Sequence, residues 1–237
     1  MCHNNAYNII EVITLEVNNP LYKNQGVHAI SSIFTVEKGI TKVLLIQRKN
    51  KPFDGMWALV GGALHNDEDL DLCAKREIKE KTGIDNIELS LCNVFGKVDR
   101  SPVMRMVAIS YLGVIDSKRV EFLKETLKTS NAGWFPIDDI PLLAYDHNDI
   151  LNDALEKLKI EITRSDILKA LFPNYFTLPE LQKTYESILG HSLDRRNFRR
   201  KILSLDLIED TNQEIKFEGK KPAKAYRFKE IQSKRVL

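Results

Sequence analysis

The chain is poor in cysteine, with Cys2, Cys73 and Cys92 the only three among 237 residues. An odd, sparse set without metal-ligand spacing argues against a disulfide framework or a zinc site and points to a reducing cytoplasm. Long apolar runs are missing too. None approaches the roughly 20 residues that a membrane helix needs, so no membrane partner is expected. The opening residues, MCHNNAYNIIEVITLEV, lack the basic start and small-residue cleavage site of a secretory signal. No spacing supports a Ser-His-Asp or Cys-His nucleophile, and Cys73 reads as a small buried hydrophobe. Charge of one sign is scarce as well, the net value being +2.

What is present is ordinary for a globular protein: 43% apolar and 29% charged residues. The length fits one large or two modest domains. The small net charge conceals an imbalance, because residues 160–237 carry +5 and residues 1–159 carry −3. Such asymmetry fits a nucleic-acid-facing C-terminal part, with a merely solvated basic face as the alternative.

The chemistry concentrates in residues 61–84, GGALHNDEDLDLCAKREIKEKTGI. A β-type run at 56–60 is expected to enter a Gly61-Gly62 turn, an acidic loop and then an amphipathic helix ending at Gly83. Leu70, Ala74, Ile78 and Thr82 share one helix face at i, i+4 spacing. Glu77 and Glu80, three apart, project together, and hard divalent cations such as Mg²⁺ favour oxygen clusters of that kind.

This stretch resembles the Nudix box, G-x5-E-x7-R-E-U-x-E-E-x-G-U with U a bulky aliphatic, at Gly62, Glu68, Arg76, Glu77, Ile78, Glu80, Gly83 and Ile84. In active members, the resemblance implies, the helix glutamates hold Mg²⁺ around a diphosphate that is hydrolysed. Here Lys81 replaces the last glutamate. It puts a fixed cation where a carboxylate should meet the metal and offers Glu77 an i, i+4 counter-ion. One reading keeps the fold for ligand binding, with catalysis and the metal site at Glu77 and Glu80 weakened or lost. The other lets another acid complete a working Mg²⁺ site.

Around the box, residues 27–36 (VHAISSIFTV) and 42–47 (KVLLIQ) read as a hairpin across EKGIT. The Nudix resemblance puts the basic end of the second strand, Arg48, and the Gly61 backbone at the border of a ligand cleft. Residues 87–98 and 105–112 alternate as strands. Between them Arg100 and Arg105 are candidate anion-binding forks. Phe95, Gly96, Asp99 and Arg100 are similar to an F-G-x-x-D-R segment of Nudix proteins acting on ADP-ribose. The alternative is a surface turn with incidental arginines. Residues 131–137 (NAGWFPI) form a short strand, and Asp146 caps a helix running to Leu158. His147 reads as a structural partner more readily than as a general base.

KLKIEITRSD, residues 157–166, is the expected junction. Helices follow at 165–171, 178–189 and 194–203, with Thr177 and Glu180 as a capping box. On the third helix Phe198, Ile202 and Leu205 make the apolar stripe, leaving Arg195, Arg196, Arg199 and Arg200 outward. Short β-runs at 205–208 and 225–228 flank a polar hairpin tipped by Lys220 and Lys221. Three helices and a basic hairpin make a winged helix-turn-helix, its third helix suited to a major groove and its wing to the backbone. A helical protein-interaction domain is the alternative. FTLPELQKTYESILGHSLDRRNFRRKIL with KKPAKAYRF also resembles the C-terminal domain of Nudix-related transcriptional regulators. That family includes the NrtR-type regulators of NAD metabolism and sister groups controlling pentose-sugar genes.

The expectation is therefore an α+β chain. A Nudix α/β/α sandwich at 27–159 follows an N-terminal arm at 1–26 and precedes a winged helix-turn-helix domain at 160–237. It would be a cytoplasmic homodimer that binds double-stranded operator DNA and senses a small phosphorylated metabolite, ADP-ribose-like or a sugar. No cofactor is required. The alternative is a Mg²⁺-dependent Nudix hydrolase of the ADP-ribose diphosphatase type, using Glu77 and Glu80, with an accessory C-terminal domain.

Overall fold

The computed structural model describes residues 24–123, 126–215 and 221–230. Residues 1–23 of the expected N-terminal arm and the wing residue Lys220 lie outside them.

The first domain is built on strand β1 (Gly26–Glu37). Its residues alternate between two faces. Ile30 and Phe34 join one apolar cluster, while Ala29 and Ile33 join clusters on the other side. A two-residue turn at Lys38 and Gly39, with φ of 52° and 79°, returns the chain as β2 (Ile40–Arg48). The expected hairpin is thus present, antiparallel in register from Phe34↔Val43 to Glu37↔Ile40. β3 (Trp57–Ala58) pairs with β2, and β4 (Val60–Ala63) pairs with the first half of β1. After helix α1 (Leu70–Thr82), β5 (Leu89–Phe95) and β6 (Met106–Val114) form an antiparallel pair, and β6 runs parallel to β1. β7 (Thr129–Pro136) pairs with β2 and contains the strand expected around Trp134. Helix α1 packs on β1 and β4 through Cys73, Ala74 and Ile78. Helix α2 (His147–Glu161) covers the opposite face through Ile150, Leu151, Ala154 and Leu158.

Gly61 and Gly62 do not form the expected turn. Both are paired strand residues, opposite Ile30 and Ala29. Close approach is what requires glycine here: a Cβ on Gly61 would lie 2.4 Å from the Ala29 carbonyl oxygen, and one on Gly62 would lie 2.1 Å from the Glu77 carboxyl carbon.

The second domain holds α3 (Leu178–Leu189), α4 (Arg195–Ser204) and the antiparallel pair β8 (Ile208–Ile215) and β9 (Ala223–Phe228). Thr177 and Glu180 form the expected capping box, with each side chain bonded to the other residue's backbone N–H. Two expectations need correction. The helix at 165–171 is a short 3-10 turn, Ile167–Leu171. The strand placed at 205–208 begins only at Ile208, because Leu205 still caps α4 and Asp206 is left-handed at φ 57°. One apolar cluster runs unbroken through both domains. It links Leu158 and Ile162 at the end of α2 to Leu168, Phe176, Tyr185, Phe198 and Phe228. The Tyr185 hydroxyl donates to the Ile162 carbonyl at 2.5 Å, and the Thr41 and Ser187 hydroxyls meet at 2.7 Å.

A Gly61→Ala substitution should destabilise the fold by about 1–3 kcal/mol, since the atoms it meets are backbone and cannot swing aside. At Gly133 a Cβ would meet nothing nearer than 3.6 Å, so Gly133→Ala should stay within about 0.5 kcal/mol of the parent. Urea unfolding of both variants checks the contrast.

Candidate functional site

A cleft opens over the β1–β4 pairing, where β2, α1 and the segment before α2 converge. It is lined by His28, Arg48, Gly61, Lys81, Arg100, Lys128, Tyr145 and His147, among others. Four of these are cationic, the signature of a site for an anionic ligand.

Each cation is held in its own way. Arg48 donates to the Pro52 carbonyl from Nε at 3.2 Å and from Nη2 at 2.9 Å, and its guanidinium stands 5.1 Å from the Tyr145 ring centroid. Arg100 is buried, and its Nε and Nη2 fork onto the Asp146 carboxylate at 2.9 and 2.7 Å. This corrects one expectation. Asp146 occupies the helix N-cap position but gives no side-chain cap, being engaged by Arg100. Arg100 in turn is a positioned wall of the cleft, not a free fork. Arg105 lies outside the cleft lining, with Nη1 donating to the carbonyls of Lys97 and Met106.

Beneath the cleft floor α1 gathers its acids around one guanidinium. Arg76 binds both Glu68 oxygens, at 2.8 and 2.6 Å, reaches Glu77 Oε1 at 2.7 Å, and contacts Glu80 Oε2 at 3.3 Å. The hydrogen bond from Arg76 holds the Glu68 carboxyl down at about 2. Glu77 is 1% exposed, and its other oxygen lies 2.9 Å from Lys81 Nζ. Lys81 also donates to the Gly61 carbonyl. Burial opposes the charge on Glu77, yet the adjacent Lys81 ammonium and the hydrogen bond from Arg76 overcome it and keep the carboxyl below its ordinary range. Burial pulls the Lys81 ammonium down, with Glu77 opposing. The donor set does not fit a divalent metal. Both Glu77 oxygens already face cations, Glu80 points to half-exposed surface, and the described residues include no group of three His, Cys, Asp or Glu able to hold a metal.

The two cleft histidines are neutral near pH 7. Burial, with Arg100 close by, depresses His147 to about 3 and His28 to about 4. His147 Nδ1 accepts the Leu59 backbone N–H at 3.0 Å, the structural role expected of it. The sequence reading missed His28, Lys128 and Tyr145. Only Tyr145, beside the Asp146-His147 pair, stood near a recognisable segment.

On the second domain, Phe198 and Ile202 seat α4 on the core, and the Asp194 side chain caps it by accepting the Asn197 N–H at 2.9 Å. Arg195, Arg196, Arg199 and Arg200 are all exposed, as is Lys221 at the start of the segment leading into β9. Arg200 is steered by Asn197 Oδ1 at 3.0 Å.

A sheet enclosed by two helices with a box helix under a cationic cleft, joined to a capped arginine helix beside a β-pair, defines a Nudix domain fused to a winged helix. The NUDIX domain family matches residues 27–157, and the NrtR DNA-binding winged helix domain matches residues 169–228. The ADPR responsive transcriptional repressor NtrR of Acinetobacter baylyi is 37% identical over 201 residues, 83% of this chain and 79% of that protein. Shewanella oneidensis NrtR, in a crystal structure complexed with a 27mer DNA, is 29% identical with a TM-score of 0.75, over 86% of this chain and 93% of that one. The NUDIX domain of the same Shewanella protein complexed with ADP ribose is 28% identical with a TM-score of 0.54, over 62% of this chain and 98% of that one. The chain belongs to the NrtR-type family of Nudix-related transcriptional regulators.

The depressed histidine values set a pH dependence. His147 and His28 take up protons on unfolding, where their ordinary value is 6.5, but resist them in the fold. Stability from both is therefore complete above pH 6.5 and declines as pH falls toward 4. The slope should reach about 1.4 kcal/mol per pH unit for each histidine. His147→Gln should flatten it, while leaving the Leu59 N–H without its acceptor costs about 1–3 kcal/mol at neutral pH. Unfolding curves measured from pH 7.5 to 4.5 test both effects.

Proposed function

We propose that this protein is an ADP-ribose-responsive regulator that binds operator DNA as a cytoplasmic homodimer, without hydrolysing its ligand and without a required metal. The observation that carries the reading is a pairing within one chain. A cleft walled by Arg48, Lys81, Arg100 and Lys128 sits above neutralised carboxylates, and a helix displaying four exposed arginines is packed onto the same core. Its likeness to a repressor named for ADPR, and to NrtR structures with DNA and with ADP ribose, supports both halves.

The chemistry follows from charge placement. A diphosphate carries dense negative charge, and the cleft meets it with guanidinium and ammonium groups whose orientation is already fixed by Pro52, Asp146 and Gly61. Preorganised donors of this kind spend little entropy on binding. Hydrolysis needs more, namely a polarised phosphoryl group and an activated water. Glu77 is sealed between Arg76 and Lys81, and His147 and His28, held at about 3 and 4, are weak bases for activating water. On α4 the apolar stripe turns Arg195, Arg196, Arg199 and Arg200 toward solvent, where they can reach guanine edges and phosphates in a major groove. A two-fold pair of such helices would read half-sites about one helical turn apart. A working Mg²⁺ hydrolase is the second reading; the retained Glu68, Arg76, Glu77 and Glu80 favour it, and the engagement of Glu77 by Arg76 and Lys81 opposes it.

The tests are binding and turnover. Calorimetry should show ADP-ribose binding, while incubation with ADP-ribose and Mg²⁺ should release no product; turnover on the order of 1 s⁻¹ would establish the enzyme instead. Fluorescence anisotropy with the upstream region of the protein's own operon should show specific binding that responds to ADP-ribose. Affinity should fall with salt at a log-log slope of about −0.9 per phosphate neutralised. Arg196→Ala should cost roughly 1–3 kcal/mol if it reads a base, whereas Lys220→Ala should weaken all sequences alike. Binding no tighter than to random duplex would remove the DNA assignment.

A further inference from the structure

The lysine in the Nudix box does more than balance a buried charge. An ammonium carries three donors; Lys81 gives one to the Gly61 carbonyl, and its Nζ is ion-paired with Glu77 Oε2 at 2.9 Å. That leaves donors for a ligand in the cleft that Lys81 lines alongside Arg48, Arg100 and Lys128. With its side chain 10% exposed, Lys81 meets the cleft with its position set by the Gly61 carbonyl and the Glu77 carboxylate.

A divalent metal in a diphosphate site does a comparable job: protein carboxylate on one side, phosphate oxygen on the other, cation between. We propose that the Lys81 ammonium is a built-in cation standing between Glu77 and a phosphate oxygen of the ligand, so that the cleft binds a nucleoside diphosphate sugar with no divalent metal. The inference rests on the reading of the cleft as an ADP-ribose-type site and extends it to the means of recognition. A tethered ammonium holds and orients a diphosphate, but it has no coordination position in which to bind and acidify water, as a metal would. Binding and hydrolysis are thereby separated by one residue. The geometry also gives Glu77 a purpose, since its carboxylate, 1% exposed, keeps the ammonium charged against the burial that opposes it.

The experiment is calorimetric titration of ADP-ribose into the full chain, in EDTA and again in Mg²⁺. The dissociation constants should agree within about twofold. Glu77→Gln with Lys81→Gln removes both charges of the pair together, so no buried charge is stranded. That double variant should bind about tenfold or more weakly, with or without Mg²⁺, because a hydrogen bond to a charged donor is lost. If the double variant fails to fold, as its unfolding curve would show, Lys81→Met carries the same expectation. Parent binding that requires Mg²⁺, or Lys81-free variants that bind as tightly as the parent, would overturn the proposal while leaving the cleft an ADP-ribose site. Absence of any parent binding in either buffer would remove the functional reading itself, and this inference with it.

Discussion

A carboxylate that is 1% exposed cannot stay charged without help, and the first domain is arranged around supplying it to Glu77. Arg76 takes one oxygen and Lys81 the other. Arg76 is itself fixed by a two-point grip on Glu68, which ties the acidic loop to the helix. Lys81 reaches the Gly61 carbonyl, which ties the helix to β4. The strand can lie that close only because Gly62 has no Cβ to strike the carboxylate. Loop, strand and helix are thus positioned by the neutralisation of one buried charge.

The same constraint shapes the cleft above. Burial, with the cleft cations close by, holds two histidines neutral, and those cations leave the pocket receptive to an anion. Arg100 is prevented from collapsing into solvent by Asp146, at the first turn of α2. The far end of that helix enters the core of the winged helix, where Tyr185 grips the Ile162 carbonyl. A single helix therefore begins at the cleft wall and ends against the DNA-binding domain.

Much of this was legible in the sequence where spacing and chemistry coincided. Arg76, Glu77, Ile78 and Glu80 of the box fall on one helix with Glu77 facing Lys81, the hairpin turn sits at Lys38-Gly39, and the Thr177 capping box starts α3 where expected. What escaped notice depended on distant partners. Gly61-Gly62 looks like a turn because a glycine pair usually is one; nothing local shows that β1 and Glu77 leave no room for a Cβ. Asp146 has the right residue type and position for a cap, and only the approach of Arg100, 46 positions away in the chain, diverts it. Lys128 and His28 carry no motif, and the fold alone brings them to the cleft. Arg105 looked equivalent to Arg100 in a short arginine-bearing turn, but it turns back onto the Lys97 carbonyl.

The unbroken core across the two domains separates two notions that are often merged. As units of inheritance, the domains divide between residues 157 and 169, where one family match stops and the next begins. In packing they do not divide there, because Leu158, Ile162 and Leu168 lie in that very interval and are buried in the one cluster that spans both halves. A chain cut at the evolutionary seam would bare the apolar surface that each half uses to hold the other. The seam is a record of how the protein was assembled, and the apolar packing runs straight across it.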